Sequence, residues 1–505
     1  MNGLLGMSGC DANQGDFAGI TPLIWAVRGG EPEAVELLLR HGVVNPDKSD
    51  NEGKTPVLWA AMKGHESVVK QLLDRPDVNP DKPDNNGNTP LSWAAGQGHE
   101  SVVKQLLERK DVNPDKPGNE GNTPLSWAAM EGHESVVKQL LDRQDVNPDK
   151  PDNEGNTPLL WAARKGHKSV VKQLLDRKDV NPDKPNNEGR TPLWLAVPKG
   201  DESVVKQFLD RTEVNPDHPS SKGVTPLMEA AASGHELVVK QLLKIPDVNP
   251  DKPDNEGNTP LSWAAIGGHQ SVVKQLLDRT EVNPDHPSSK GVTPLMEAAA
   301  RGHESVVKQL LKRPDVNPDK PDNEGNTPLS WAAMKGHESV VKQLLDRQDV
   351  NPDKSDNEGN TPLSWAAIGG HESVVKQLLD RQDVNPDEPD NEDKTPLSWA
   401  ARKGHESVVK QLLDRQDINP DRPDNEGRTP LSWAAAKGHE LLAKQLLDRQ
   451  DVNPDKPDGN GHIPLYYASS KGHEGVVNLL QAWKPPIPTF FPVDQLRASL
   501  PSSPR

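Results

Sequence analysis

Gly121 to Glu154 reads GNTPLSWAAMEGHESVVKQLLDRQDVNPDKPDNE, and this string returns along most of the chain with few changes. A Thr-Pro pair, Ile-Pro in the last copy, starts at Thr21, Thr55, Thr89, Thr123, Thr157, Thr191, Thr225, Thr259, Thr293, Thr327, Thr361, Thr395, Thr429 and Ile463. Each step is 34 residues, so fourteen copies run without an insertion or deletion. Thr123 is placed to cap a helix, and Pro124 at the first helical position gives up no donor the helix needs. Leu125, Ala128 and Ala129 form one narrow apolar stripe, and Gly132 supplies a left-handed stop after about two turns. A second helix is predicted to bury Val136, Val137, Leu140 and Leu141, with Ser135, Lys138, Gln139 and Asp142 left to water. Asn147-Pro148-Asp149 then enforces extended and turn geometry. Neither helix can bury its stripe alone, so each copy must stack on its neighbours.

Thr-Pro-Leu-x-x-Ala-Ala, then Gly-His, Val-Val-x-x-Leu-Leu and Asp-Val-Asn, resembles the ankyrin repeat over about residues 11 to 482, and is similar to the long arrays of fungal ankyrin proteins. The resemblance implies an all-α ankyrin-repeat solenoid of about fourteen helix-turn-helix units joined by extended loops. Two departures stand out. Ser126 occupies the family's usual histidine position, and the usual glycine after helix two is missing from nearly all copies (Asp142-Arg143-Gln144-Asp145), only Gly42 preserving it. The expected organisation is a short leader at 1–16, one elongated repeat array at 17–482, and a Pro/Ser-rich tail at 483–505. Repeat six breaks the rhythm, because Pro198 falls in the last turn of its first helix and removes a backbone donor there.

The net charge of −17 argues against a general affinity for nucleic acid or anionic membrane. A single cysteine and the lack of a twenty-residue apolar run lead to the expectation of an intracellular, cytoplasmic or nuclear protein without a membrane span. Twelve histidines recur in Gly-His, from His65 to His473, but adjacent helix pairs lie about 10 Å apart, too far to share a zinc ion with bonds near ~2.1 Å. The NPDKPDNEG aspartates lack the alternate-position ligands and closing glutamate of a calcium loop, and are read as solvated turns. No nucleophile elbow, phosphate-binding glycine loop or CxxC pair occurs, so no catalytic residue, cofactor or metal is assigned.

Near-identical copies isolate the positions that differ. Counting from the Thr, +7 and +8 vary most, and the resemblance implies that this edge, with the residue before Thr, is the concave binding surface. Position +4 carries a tryptophan in most copies, but Glu229 and Glu297 in two, so it is expected to be half open. Position +8 carries a lysine in many. The candidate protein-binding residues are therefore Trp59, Lys63, Trp161, Lys165, Lys199, Arg301, Trp331, Lys335, Trp399, Lys403, Trp433, Lys437 and Lys471. Trp59–Lys63 and its equivalents are expected to stack as cation–π pairs worth about 0.5 to 1 kcal/mol, with Glu297–Arg301 as the ion-pair version. The function expected is a monomeric, non-enzymatic scaffold or adaptor that grips one or more proteins, with an acidic extended surface as the complement of the lysine stripe. Alternatives are a regulatory component, such as a transcription co-regulator or the sensor part of a signalling protein, and, more weakly, direct nucleic-acid binding through the Trp-Lys face.

Overall fold

The computed structural model describes residues 11–483; the first ten residues and residues 484–505, which hold most of the expected leader and tail, lie outside the described residues. The described residues form 28 α-helices and no strand, the all-α helix-turn-helix solenoid architecture. They fall into two compact units, one ending at Asn283 and one beginning at Pro284. Each holds whole helix pairs, eight in the first and six in the second. Within each unit, first helices pack on neighbouring first helices and second helices on second helices.

The repeat at Thr123 shows how the sequence builds the pair. Thr123 is extended (φ −86°, ψ 166°), and its hydroxyl accepts the Ser126 N–H at 3.1 Å, which opens the helix Pro124–Glu131. Gly132 closes that helix at φ 79°, a conformation in which a side chain would be strained. The helix Glu134–Leu141 follows at once and buries the four predicted residues. Ser126, in place of the family's histidine, is fully buried and satisfied locally, its hydroxyl 3.0 Å from that of Thr123.

The missing glycine after helix two is compensated from the next repeat. Asp142 stays right-handed (φ −68°, ψ −14°), so the helix ends without a left-handed cap. Its unpaired carbonyls are met by an arginine one repeat on. Arg143 donates through Nη1 to Leu107 O at 2.7 Å, while Nε and Nη2 donate to Asp145 at 2.9 and 2.7 Å. The same clamp is made by Arg75, Arg347, Arg381, Arg415 and Arg449. An ammonium group could not reproduce this fork.

The loops are less solvated than the sequence led us to expect. Asp115 Oδ2 accepts the Asn147 N–H at 3.2 Å, and Lys150 Nζ donates to Asp115 O at 2.6 Å. Asn153 donates its side-chain amide to Asn119 O at 2.9 Å and its N–H to Glu120 O at 3.0 Å. The loop aspartates are therefore half-buried fasteners between repeats, and burial holds the carboxyls of Asp115, Asp149 and Asp319 above the usual carboxylate range.

Repeat six deviates where proline demanded it. Its first helix stops at Ala196, and Val197–Lys199 tighten into a 3-10 turn. Asp201 replaces the histidine of other copies and caps the second helix, accepting the N–H groups of Ser203 and Val204 at 2.9 and 3.3 Å.

Candidate functional site

The edge formed by the ends of the first helices and the turns before them carries the positions that vary. Its tryptophans are anchored from behind. Asp152 accepts the Glu154 and Asn156 N–H groups on Oδ1 at 2.9 and 2.8 Å, which shapes the turn around Gly155, and receives the Trp161 indole N–H on Oδ2 at 3.0 Å. Trp59, Trp93, Trp263, Trp331, Trp365, Trp399 and Trp433 donate in the same way to the aspartate nine residues earlier, at 2.8–3.1 Å. In the last copy the Tyr467 hydroxyl takes the indole's part toward Asp458, and burial beside that carboxylate pushes its pKa up to about 12.

Sequence reasoning missed this aspartate although the chain carries a signal for it. Asp at this position accompanies a Trp or Tyr donor; Ser220 and Ser288 accompany Glu229 and Glu297, and Asn186 accompanies Leu195. A carboxylate facing Glu at +4 would place two like charges together, so the two positions change in concert. Gly118 with Trp127 is the one mismatch among the copies.

The anchor also decides which cations reach the rings, and this corrects the expected stacking. Trp59 is covered by Arg28 at 4.5 Å and Lys54 at 5.0 Å, not by Lys63; Trp161 is covered by Arg164 at 5.4 Å, not by Lys165. Trp399 meets Lys394 and Arg402, and Trp433 meets Arg402 and Arg428, rather than Lys403 and Lys437. No cation lies over Trp331 among the contacts of the described residues, so Lys335 does not cover it either. Helical side chains lean toward the N-terminus, and the bond to Asp draws the indole further over the turn before Thr. The ring therefore meets position +7 and the residue before Thr, while +8 projects past it. Arg301 does pair with Glu297 as expected.

Most tryptophans at +4 are half-buried, in keeping with the open position expected, but Trp59 and Trp433 are buried and Trp25 is exposed. Glu229 is half-buried too, and burial raises its carboxyl above the usual range. Lys63, Lys165, Lys199, Lys335, Lys403, Lys437 and Lys471 are all exposed, and no hydrogen bond or ion pair within the described residues holds any of them.

The Gly-His histidines serve as staples. His133 Nε2 lies 3.0 Å from Gly96 O, and His167, His371 and His405 repeat that contact at 3.0 Å with the preceding repeat's +7 carbonyl. Among the described residues no group of three or more His, Cys, Asp or Glu could hold a metal ion, and no helix is long and apolar enough to cross a membrane.

Clefts open along the edge where the repeat pattern is disturbed, among them one of about 330 Å³ lined by Arg164, Lys165, Trp194, Pro198 and Lys199. Another lies between Trp93 and Trp127, with a volume of about 760 Å³; one beside Glu229 and Trp263, about 210 Å³; one beside Glu297 and Trp331, about 640 Å³.

The family model for ankyrin repeats (3 copies) matches residues 1–84, 72–152, 144–218, 195–286, 279–355, 347–424 and 416–485. No curated protein is matched by the chain. Threonine caps, glycine stops and histidine staples recur through the array, and the matches, which run through both units, show that the chain belongs to the ankyrin-repeat family.

Proposed function

We propose that the protein is a non-enzymatic scaffold or adaptor, and that the edge carrying +4, +7 and +8 is its recognition surface. Ankyrin repeats are in general protein–protein interaction modules, which supports the class of function. The observation that carries the choice of surface is the lysine series at +8. Seven exposed lysines have no side-chain partner among the described residues, although the protein as a whole is acidic and aspartates are abundant in its loops. Cations left unpaired beside half-open indoles suit a partner with an acidic, extended surface. Single surface pairs are worth little, so the lysines within a unit act together and chiefly on the rate of association.

The test is to change Lys335, Lys403 and Lys437 to Glu and measure association with a partner identified by proximity labelling in cells. The variant is expected to associate more slowly and with a flatter salt dependence, while helical content and melting stay unchanged. Equal association at low and physiological salt would move the binding surface elsewhere.

A further inference from the structure

The cleft between Trp93 and Trp127 differs from the rest of the edge in a way that identifies a ligand. In two other places the chain fills the space between consecutive tryptophans with its own arginine at +7. Arg28 lies 5.1 Å from the Trp25 ring and 4.5 Å from the Trp59 ring, and Arg402 lies 5.1 Å from Trp399 and 4.7 Å from Trp433. Between Trp93 and Trp127 that position is Gly96. A β-carbon there would sit 3.5 Å from the Trp127 side chain, in ordinary contact, so the space is free and not blocked. Where +7 is Ala232 or Ala300, the preceding wall is Glu229 or Glu297 and no such sandwich exists.

A second, independent feature lies in the same cleft. Gly118 replaces the anchoring aspartate of this repeat, which removes the acceptor of the Trp127 indole and of the Asn122 amide. Asn156 and Asn258, at the equivalent position, donate to that carboxylate at 3.3 and 3.4 Å. Asn122 is only 5% exposed and lines the cleft; its Oδ1, like those of Asn326 and Asn360, is buried without a hydrogen-bond partner, so what Gly118 takes away is the acceptor of the Trp127 indole. Glu120 and Glu131 also line the cleft and no lysine or arginine does; Lys54, 5.6 Å from the Trp93 ring, is not part of the lining.

We propose that the Trp93–Trp127 cleft binds an arginine side chain of a partner polypeptide, in the place that Arg28 and Arg402 take within the molecule. The planar guanidinium stacks between the indoles and donates to the Glu131 carboxylate, while the Trp127 N–H, without the aspartate acceptor of other copies, is free to donate to a ligand carbonyl. An ammonium group has the charge but neither the flat face nor the fork. The proposal rests on reading this edge as a recognition surface; it does not depend on the lysines at +8.

The full chain, labelled with ¹⁵N at its indoles, would be titrated with the peptide acetyl-Gly-Ser-Arg-Ser-Gly-amide and with the same peptide carrying lysine or citrulline. Trp127→Phe assigns the Trp127 signal. The Arg peptide is expected to shift the Trp93 and Trp127 signals saturably, the Lys peptide several-fold more weakly, and the neutral citrulline peptide not at all. Gly96→Arg, a residue this position carries in other copies, is expected to weaken binding by roughly tenfold or more with unchanged circular dichroism. Equal shifts from all three peptides, no shift from the Arg peptide, or undiminished binding by Gly96→Arg would each overturn the proposal. The lysine variant described above reads a different unit of the chain, so failure of one test leaves the other intact.

Discussion

Trp331 donates its indole N–H to Asp322 Oδ2 across 3.0 Å, and that carboxylate, nine residues earlier, has already spent Oδ1 on the N–H groups of Glu324 and Asn326. One aspartate thus sets both the turn and the ring. The tryptophan nevertheless stands at a half-buried position, whereas Leu344 of the following helix is fully buried. Leu344→Ala is expected to cost about 2–5 kcal/mol through transfer and cavity terms. Trp331→Ala is expected to cost less, chiefly the packing against its neighbours and one hydrogen bond of about 1 kcal/mol. Opening free energies from hydrogen exchange of the amides in 327–345 would rank the two. A larger loss for the tryptophan would place +4 in the core.

The half-buried loop carboxylates give the protein a pH dependence of definite sign. Asp319 accepts the Asn351 N–H at 2.7 Å, while its other oxygen is buried without a partner. Burial is the main cause of its raised pKa; the hydrogen bond from Asn351 and the nearby Lys354 oppose the rise, and Asp349 adds to it. Above that raised value the folded state carries a charge that the unfolded chain bears more easily, so the ionised group subtracts stability. The subtraction fades as pH falls through the raised value and is gone below the ordinary value of 3.8. Asp319→Asn keeps an oxygen for Asn351 and removes the charge. It is expected to be at least as stable as the parent at pH 7, with the advantage lost near pH 3.8. Thermal melting across that range checks the sign, and a variant weaker at pH 7 but equal at low pH would reverse it.

The period, both helices of each pair, the threonine caps, the glycine stops and the break at Pro198 were legible in the sequence because each rests on contacts within about four residues. The fasteners between repeats were not. Arg143 reaches Leu107, His133 reaches Gly96 and Asn153 reaches Asn119, over separations of 36, 37 and 34 residues, and a residue repeated in every copy gives no hint of which neighbour it touches. The candidate surface was half legible. Variation at +7 and +8 marked the edge, but the choice of cation over each indole depended on the direction in which Asp322 and its equivalents pull the ring. That pull was written only in the paired changes Asp–Trp and Ser–Glu.

Proline 198 should mark a locally weak point. The first helix of its repeat is cut to five residues, Pro192–Ala196, and Asp201 stands where other copies place the stapling histidine. The capping bonds of Asp201 offset part of that loss. Amides in 190–210 are expected to exchange faster than those in 120–150, where helices and staples are complete. Equal protection in the two stretches would show that the 3-10 turn costs the stack nothing.

Asp393 is the one residue other than glycine with positive φ among the described residues, at 57°. It holds the turn position that Gly155, Gly325 and Gly359 hold in other copies, at φ 83°, 88° and 87°. A β-carbon at those glycines meets the next repeat closely: at Gly359 it would stand 2.7 Å from Asn391 N and 2.9 Å from the Asn391 side-chain oxygen. Asp393 therefore bears a left-handed backbone at an exposed turn, on a residue that carries a β-carbon. The left-handed region costs an ordinary L-residue roughly 1–2 kcal/mol, and aspartate less because its carboxylate can bond locally. Asp393→Gly is expected to stabilise the repeat by about 0.5–1 kcal/mol, after the greater flexibility of glycine in the unfolded chain is counted against it. Asp393→Ala keeps the β-carbon and loses the local bonding, so it is expected to destabilise. Melting of the two variants separates the causes: a gain for glycine with a loss for alanine assigns the strain to the backbone, whereas a loss for both would mean that the Asp393 carboxylate makes a contact worth more than the strain it imposes.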